Sequence, residues 1–410
     1  MSPHRLPFAT SHIPAVPGET KLFEEDFRVE EIPAYAPSGE GDHVYFGIEK
    51  RGITTMRAIR DVARALGVKP RDVGVAGQKD ARGVTRQTLS IEHADPRKVE
   101  ALDLHGVEIL WVSRHRNKLR TGHLKGNLFA IKIRGTDPAR IGDARDALAF
   151  LAERGAPNYF GPQRFGARGD TWLIGRHILA GNHEEAARVI CGSAGEDDSG
   201  PVLEARRLYD AGDLEASAAA WPRGYGDSAR LCRSLARKPG SFERSVMSMD
   251  RRLLGIYVSA FQSHLFNEAV EARLSSLGEV LEGDLAWKHD KGVVFEVLDA
   301  QAENPRAARG EISPSGPMFG KRMTWPKGRP GEMERDILAG AGLAEDRFPA
   351  KGPLRCTGGR RPLRFFPHEP SAEAGEDENG GYVEVRFGLD SGCYATVVLA
   401  EIRKDWSGSI

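Results

Sequence analysis

The sequence predicts an α/β protein in which both ends of the chain build one domain, a sheet with helices packed against it, and a helix-rich domain is inserted between them. Three observations carry this. Strand-like stretches fill much of residues 21–134 and return after about residue 351. Short helical stretches dominate the region between. The length, 410 residues, exceeds what one hydrophobic core usually holds.

The elements follow in order. FRVEEI and HVYFGIEK read as strands joined through the turn PSGEGDH. In TTMRAIRDVARAL, residues 54–66, Met56, Ile59, Val62, Ala63 and Leu66 keep the 3.6-residue period behind a threonine cap and ahead of Gly67, so a helix is expected. GVAGQKD is a short apolar strand entering a glycine turn, with Gly77 as the bend. TRQTLSIE, VEILWVSRH and NLFAIKIRG are further strands, and DPARIGDARDALAFLAERG is a helix with a proline near its start and a glycine past its end. After about residue 170 come short helical pieces, then the long pattern MSMDRRLLGIYVSAFQSHLFNEAVEARLSSLG. PLRFFP and GYVEVRFGLDSGCYATVVLAEI restore strand character, and the acidic SAEAGEDENGG between them reads as a mobile loop.

Composition narrows the function classes. Hydrophobic residues make up 40% and charged residues 28%, a soluble globular profile. No stretch approaches the ~20 apolar residues of a membrane span, and MSPHRLPFATSHIPAVPGE lacks the apolar core of a secretory signal. Cys191, Cys232, Cys356 and Cys393 are far apart in sequence, with no CxxC pair, so neither a metal site nor a disulfide framework is expected and a reducing cytoplasm is the expected location. The 58 basic and 58 acidic residues cancel, yet residues 111–134 hold seven Lys or Arg and residues 351–365 five, with no acidic residue in either run. Charge segregated in this way points to a polyanion-binding surface.

Three stretches can carry chemistry. AGQKDARGVTRQ offers Asp80 on a glycine turn, with Lys79 beside it; alone, the pattern also fits a carboxylate that caps a turn. NYFGPQRFG places rings beside Asn158, Gln163 and Arg164, the residue types that stack on an unstacked base, read its edge and hold phosphate, although a close-packed aromatic turn would use the same residues. DSGCYATVVL is a strand-to-helix junction with Tyr394 near the helix start, suited to an anion or a stacked ring and equally to an ordinary capped helix. GxxxxGK[ST], GxGxxG after a strand, GxSxG and HExxH are all missing, and the 12 histidines do not cluster at metal-ligand spacing. What survives is a carboxylate enzyme acting in a basic cleft without a cofactor.

These stretches, with KLFEEDFRVEEI, GEGDHVYFGIEKRGITTMRAI, RLLGIYVSAFQSHLFN and EISPSGPMFG, stand in an order that resembles the TruD-type tRNA pseudouridine synthases across nearly the whole chain. The resemblance implies a catalytic domain with a mixed, mostly antiparallel sheet and flanking helices, contributed by residues 1–180 and 351–410 and interrupted by an inserted α/β domain at 181–350. It implies Asp80 as nucleophile, Phe27 and Tyr394 lining the uridine site, Lys21 preceding that phenylalanine, and Asn158 with Phe160 contacting the target nucleotide, with Lys79 as a candidate cation. The position of Tyr394 is more often phenylalanine, and that of Ser315 threonine, in the family. The activity implied is isomerisation of uridine at position 13 of tRNA, with other RNA not excluded. It calls for no metal or cofactor, because the reaction has no redox change and no net hydrolysis. A monomer without an obligate protein partner is expected. The alternative is an RNA-binding or RNA-chaperone protein that uses the same surface without chemistry. A glycoside hydrolase is disfavoured, since the motifs offer one well-placed carboxylate where that chemistry needs two.

Overall fold

The computed structural model describes residues 6–352 and 354–406. The described residues fold as two compact units, one formed by Thr10–Ala156 with the residues from Phe366 onward, the other by Pro157–Phe365 with residues 6–9.

In the first unit, β1 (Phe27–Pro33), β2 (His43–Arg51), β3 (Gly74–Val75), β4 (Val84–Glu92), β5 (Val107–His115) and β6 (Leu124–Arg134) join the hairpin His368–Asp377/Gly380–Asp390 in one eight-stranded sheet. Its order is 368–377, 380–390, β6, β1, β4, β2, β5, with β3 added on β4. β1 and β4 run parallel, Arg28 opposite Val84, and the other pairs are antiparallel. The mixed, mostly antiparallel α/β architecture is therefore as the sequence implies. Val44, Phe46 and Ile48 of β2 and Leu89 and Ile91 of β4 pack against Ala58, Ile59, Val62 and Ala63 of the helix Thr55–Leu66. That helix begins where expected, with Thr54 Oγ1 accepting from Arg57 N at 3.1 Å, and stops at Gly67 in the left-handed region.

The acidic stretch expected to be a loop is instead the hairpin. Ser371 to Asp377 pair residue by residue with Gly380 to Arg386, leaving only Glu378 and Asn379 as the turn. The acidity that marked it as a loop is answered in space: Asp377 accepts from Arg134 Nη1 at 2.8 Å, Arg134 Nη2 at 2.7 Å and Lys132 Nζ at 2.6 Å, both residues on β6, which pairs with the second strand of the hairpin. Those bonds hold its carboxyl far below the usual carboxylate range.

The second unit is rich in helices, among them Thr171–Ala180, His183–Cys191, Gly226–Arg237, the 22-residue Arg251–Ala272 and Gly328–Gly340. It also holds a four-stranded sheet in the order 359–362, 312–318, 285–288, 293–296. The units change at Ala156/Pro157 and Phe365/Phe366, so NYFGPQRFG and the basic residues 351–364 belong to this unit. No helix among the described residues is long and apolar enough to cross a membrane.

Candidate functional site

Residues 76–83 connect β3 to β4 and carry Asp80. The glycine this loop requires is Gly83. Its φ is +143°, and a Cβ there would stand 2.4 Å from the carbonyl oxygen of Phe27, so only glycine lets the loop run this close to the start of β1. Gly77, expected to be the bend, carries no such demand: a Cβ on it would meet nothing nearer than Lys79 Nζ at 3.6 Å.

Three residues named from the sequence come together here. Lys21 Nζ donates to Asp80 Oδ2 and lies 3.9 Å from the centroid of the Phe27 ring. The Lys21 side chain is 3% exposed and that of Asp80 is 40% exposed, so the cation is buried and the carboxylate faces outward. Asp80 Oδ1 accepts from the N–H groups of Ala81 at 2.7 Å and Arg82 at 3.4 Å. Partial burial pushes the carboxyl up, but the bond and charge of Lys21 together with the Arg82 and Ala81 N–H groups outweigh it and leave Asp80 below its ordinary value. Burial likewise pulls the Lys21 ammonium down, against the pull of Asp80. Asp80 is thus an ionised, reachable carboxylate, as a nucleophile or base requires. Phe27 is buried, and its ring lies edge-on to that of Phe129.

Lys21 is itself held by the sheet. Its φ is +60°, an uncommon conformation for a side chain this large. The preceding Glu19 exchanges two backbone hydrogen bonds with Arg134, at 2.9 and 2.8 Å. Arg134 is buried, donates to Asp26 at 2.7 Å and lies over the Phe23 ring. A residue counted in the sequence as part of a phosphate-binding run is therefore a post that fixes Lys21.

Lys79, the other candidate cation, points to the interior, where its Nζ lies 3.2 Å from Glu31 Oε2. Its backbone N donates to Thr55 Oγ1 at 2.9 Å, and Thr55 in turn donates to Gln87 Oε1 at 2.9 Å. The charge on Asp80 is met by Lys21 rather than by Lys79. Below Asp80, Lys50 donates to the Asp80 carbonyl and to Ile53 O, the latter at 2.8 Å. Lys50, Glu31 and Thr55 were not singled out from sequence. Lys50 had a signal: strand alternation puts it on the same face as Val44, Phe46 and Ile48, where a lysine is out of place.

Tyr394 is half-buried at the N-cap of the helix Ala395–Arg403, at the strand-to-helix junction expected for it. The preceding strand ends at Asp390 opposite Gly126, and Ser391 N donates to Lys125 O at 2.8 Å.

In the other unit, Asn158 is buried. Its Nδ2 donates to Pro362 O at 2.8 Å, and its Oδ1 accepts from Arg361. Arg361 lies 4.6 Å from the centroid of Phe160, whose N–H donates to Asn267 Oδ1 at 2.8 Å and whose carbonyl accepts from Asn267 Nδ2 at 2.9 Å. Arg164 is tied to Ser259 and Ser263. NYFGPQRFG is therefore clamped to the helix Arg251–Ala272, a pairing of two motifs that spacing could not show. Part of the basic run 351–365 is internal, while Lys351 and Arg355 are exposed: Arg360 pairs with Glu334 at 2.7 Å, and Arg364, 1% exposed, donates to Ser313, Ala307 and Ile312. Arg360 looked unopposed because its acidic partner is distant in sequence.

A mixed sheet carrying an aspartate held by a buried lysine, the lysine itself lying over an aromatic ring, defines the class: an enzyme domain that presents an ionised carboxylate. The chain belongs to the TruD family, whose model, described as tRNA pseudouridine synthase D (TruD), matches residues 7–402. It is 46% identical to the tRNA pseudouridine synthase D of Geobacter sulfurreducens over 98% of this chain and 97% of that protein. With the protein of the same name from Geobacter metallireducens it shares 47% identity, over 97% of each. A crystal structure from Methanosarcina mazei, described as a candidate tRNA pseudouridine synthase D, superposes with a TM-score of 0.86 at 28% identity, covering 97% of this chain and 96% of that one.

Proposed function

We propose that this protein isomerises uridine to pseudouridine in tRNA, at position 13, with Asp80 as its nucleophile. The observation that supports this best is Asp80 itself, kept ionised by Lys21 and the Ala81 and Arg82 N–H groups while its other side is open. In the reaction the N1–C1′ bond breaks, the base turns, and a C5–C1′ bond forms. The C5 hydrogen leaves as a proton, N1 ends protonated, and no electron is gained or lost. An ionised carboxylate serves each available first step: attack on C1′, attack on C6, or removal of a sugar proton. The base must leave the RNA stack to be reached. Phe27 and Tyr394 line its site, Asn158 and Phe160 contact the target nucleotide, Lys21 holds Asp80, and Lys79 shapes the loop through Glu31.

In this reading residues 1–180 and 351–410 make the catalytic domain and 181–350 the family-specific insertion, so that residues 157–180 and 351–365 are catalytic-domain segments that pack in the same compact unit as the insertion. The enzyme works as a monomer in the cytoplasm, with tRNA as its partner. The test is to incubate unmodified tRNA with the wild type and with Asp80→Asn, digest the RNA and separate the nucleosides. Pseudouridine is expected from the wild type alone. A comparable yield from Asp80→Asn would refute the assignment of Asp80. Binding of tRNA with no pseudouridine from the wild type would leave an RNA-binding protein.

A further inference from the structure

Beneath Asp80 lies a buried layer of polar side chains, and one member has an unusual position. Lys50 is fully buried on β2, opposite Thr85 of β4 and Val107 of β5. Its ammonium takes part in none of the ion pairs found among the described residues; it donates instead to two backbone carbonyls, those of Ile53 and Asp80. An ammonium taken out of water without a direct ion pair is costly, and an apolar side chain of similar length would fill the same space more cheaply. What Lys50 provides and an apolar residue would not is a fixed bond to the main chain of the residue that carries the reactive carboxylate.

We propose that Lys50 is a positioning residue for Asp80, fixing the backbone from which its carboxylate projects. This rests on the reading of Asp80 as the reacting group. The other bonds of the loop bear on its neighbours: Thr55 and Glu31 hold Lys79, while Lys21, Ala81 and Arg82 hold the Asp80 side chain. Lys50 alone among these holds the Asp80 carbonyl, together with that of Ile53, two residues past the end of β2. The charged groups bearing on it are Asp80, which favours its protonated form, and Lys79, which opposes it; Glu31, Lys21 and Arg82 surround those two. Burial pushes the ammonium down to about 8, so it still carries charge at neutral pH. Attraction between two groups is mutual, so the charge of Lys50 also favours ionised Asp80.

The experiment compares the wild type, Lys50→Met and Lys50→Gln in single-turnover and steady-state pseudouridine formation on unmodified tRNA, with thermal unfolding in parallel. Lys50→Met is expected to melt within a few degrees of the wild type. Its kcat should fall by on the order of 100-fold, the usual consequence of misplacing a reacting group by about 1 Å, with KM changed less than about three-fold. The acid limb of its kcat–pH profile should move to higher pH, because Asp80 loses a favourable charge. Lys50→Gln keeps N–H donors without the charge and should fall between the two. A folded Lys50→Met with kcat within about two-fold of the wild type would overturn the proposal. So would a loss of kcat that only follows the loss of melting temperature, with the acid limb unmoved. Should Lys50→Met not fold, the same two readouts decide on Lys50→Gln. Wild type and Asp80→Asn run alongside: a silent wild type counts against the pseudouridine reading, whereas an active wild type, a silent Asp80→Asn and an unimpaired Lys50→Met count against Lys50 alone.

Discussion

Replacing Lys21 with methionine isolates the electrostatic support of Asp80. In the wild type Lys21 is almost wholly buried, donates to Asp80 Oδ2 and sits over Phe27. A hydrogen bond to a charged group contributes about 1.5–3 kcal/mol. Because the Asp80 side chain is 40% exposed, solvent screening reduces this to about 1–2 kcal/mol. Methionine keeps most of the packing over the ring and removes the charge. The wild-type Asp80 carboxyl lies below its ordinary value, so its contribution to folding is present above that ordinary value and is lost as pH falls through the lowered one. Without Lys21 the carboxyl rises and protonates at higher pH. The kcat/KM of Lys21→Met should therefore be about ten-fold lower than wild type on the acid limb, the fold-change matching about 1.4 kcal/mol. The two profiles should converge as pH rises past neutrality. The assay is pseudouridine formation across the pH range at fixed ionic strength. A profile lowered equally at all pH values would refute the reasoning and show that Lys21 acts on substrate instead.

Other perturbations follow from the same geometry. Gly83→Ala puts a Cβ against the Phe27 carbonyl at a φ that side chains rarely adopt, so a loss of about 2–4 kcal/mol is expected in denaturant unfolding; an unchanged midpoint would contradict it. Asn158→Ala removes one acceptor from Arg361 and the side-chain donor to Pro362 O, which should cost about 1–3 kcal/mol, seen as an earlier thermal transition along with weakened turnover. Tyr394→Ala should lower turnover while circular dichroism stays native, since the helix that follows it is held by its own buried face, Val397, Val398, Leu399 and Ile402; loss of helix would instead make Tyr394 structural.

Much of the architecture was legible because it is local. The threonine cap, the 3.6-residue period and Gly67 gave the helix Thr55–Leu66 its limits. Alternation gave β4, β5 and β6, and the order of short motifs gave the family. The hairpin at 368–390 was not legible, because acidic residues favour a loop when alone and a strand when two cations stand on the adjacent strand.

The site divides in the same way. Asp80, Lys21 and Phe27 could be named from the sequence, but their roles came from the resemblance to the family: Asp80 alone also fitted a turn cap, and Phe27 alone a core residue. Which cation meets Asp80 was settled only by the fold. Lys79 is its neighbour in the chain but turns inward to Glu31, while Lys21, 59 positions away, is brought up by the bridge from Glu19 to Arg134. The two basic runs show the same limit. Sequence records charge along the chain, but Coulomb interaction falls with distance in space, so the pairing of Arg134 with Asp26 and Asp377, and of Arg360 with Glu334, belongs to the tertiary structure alone.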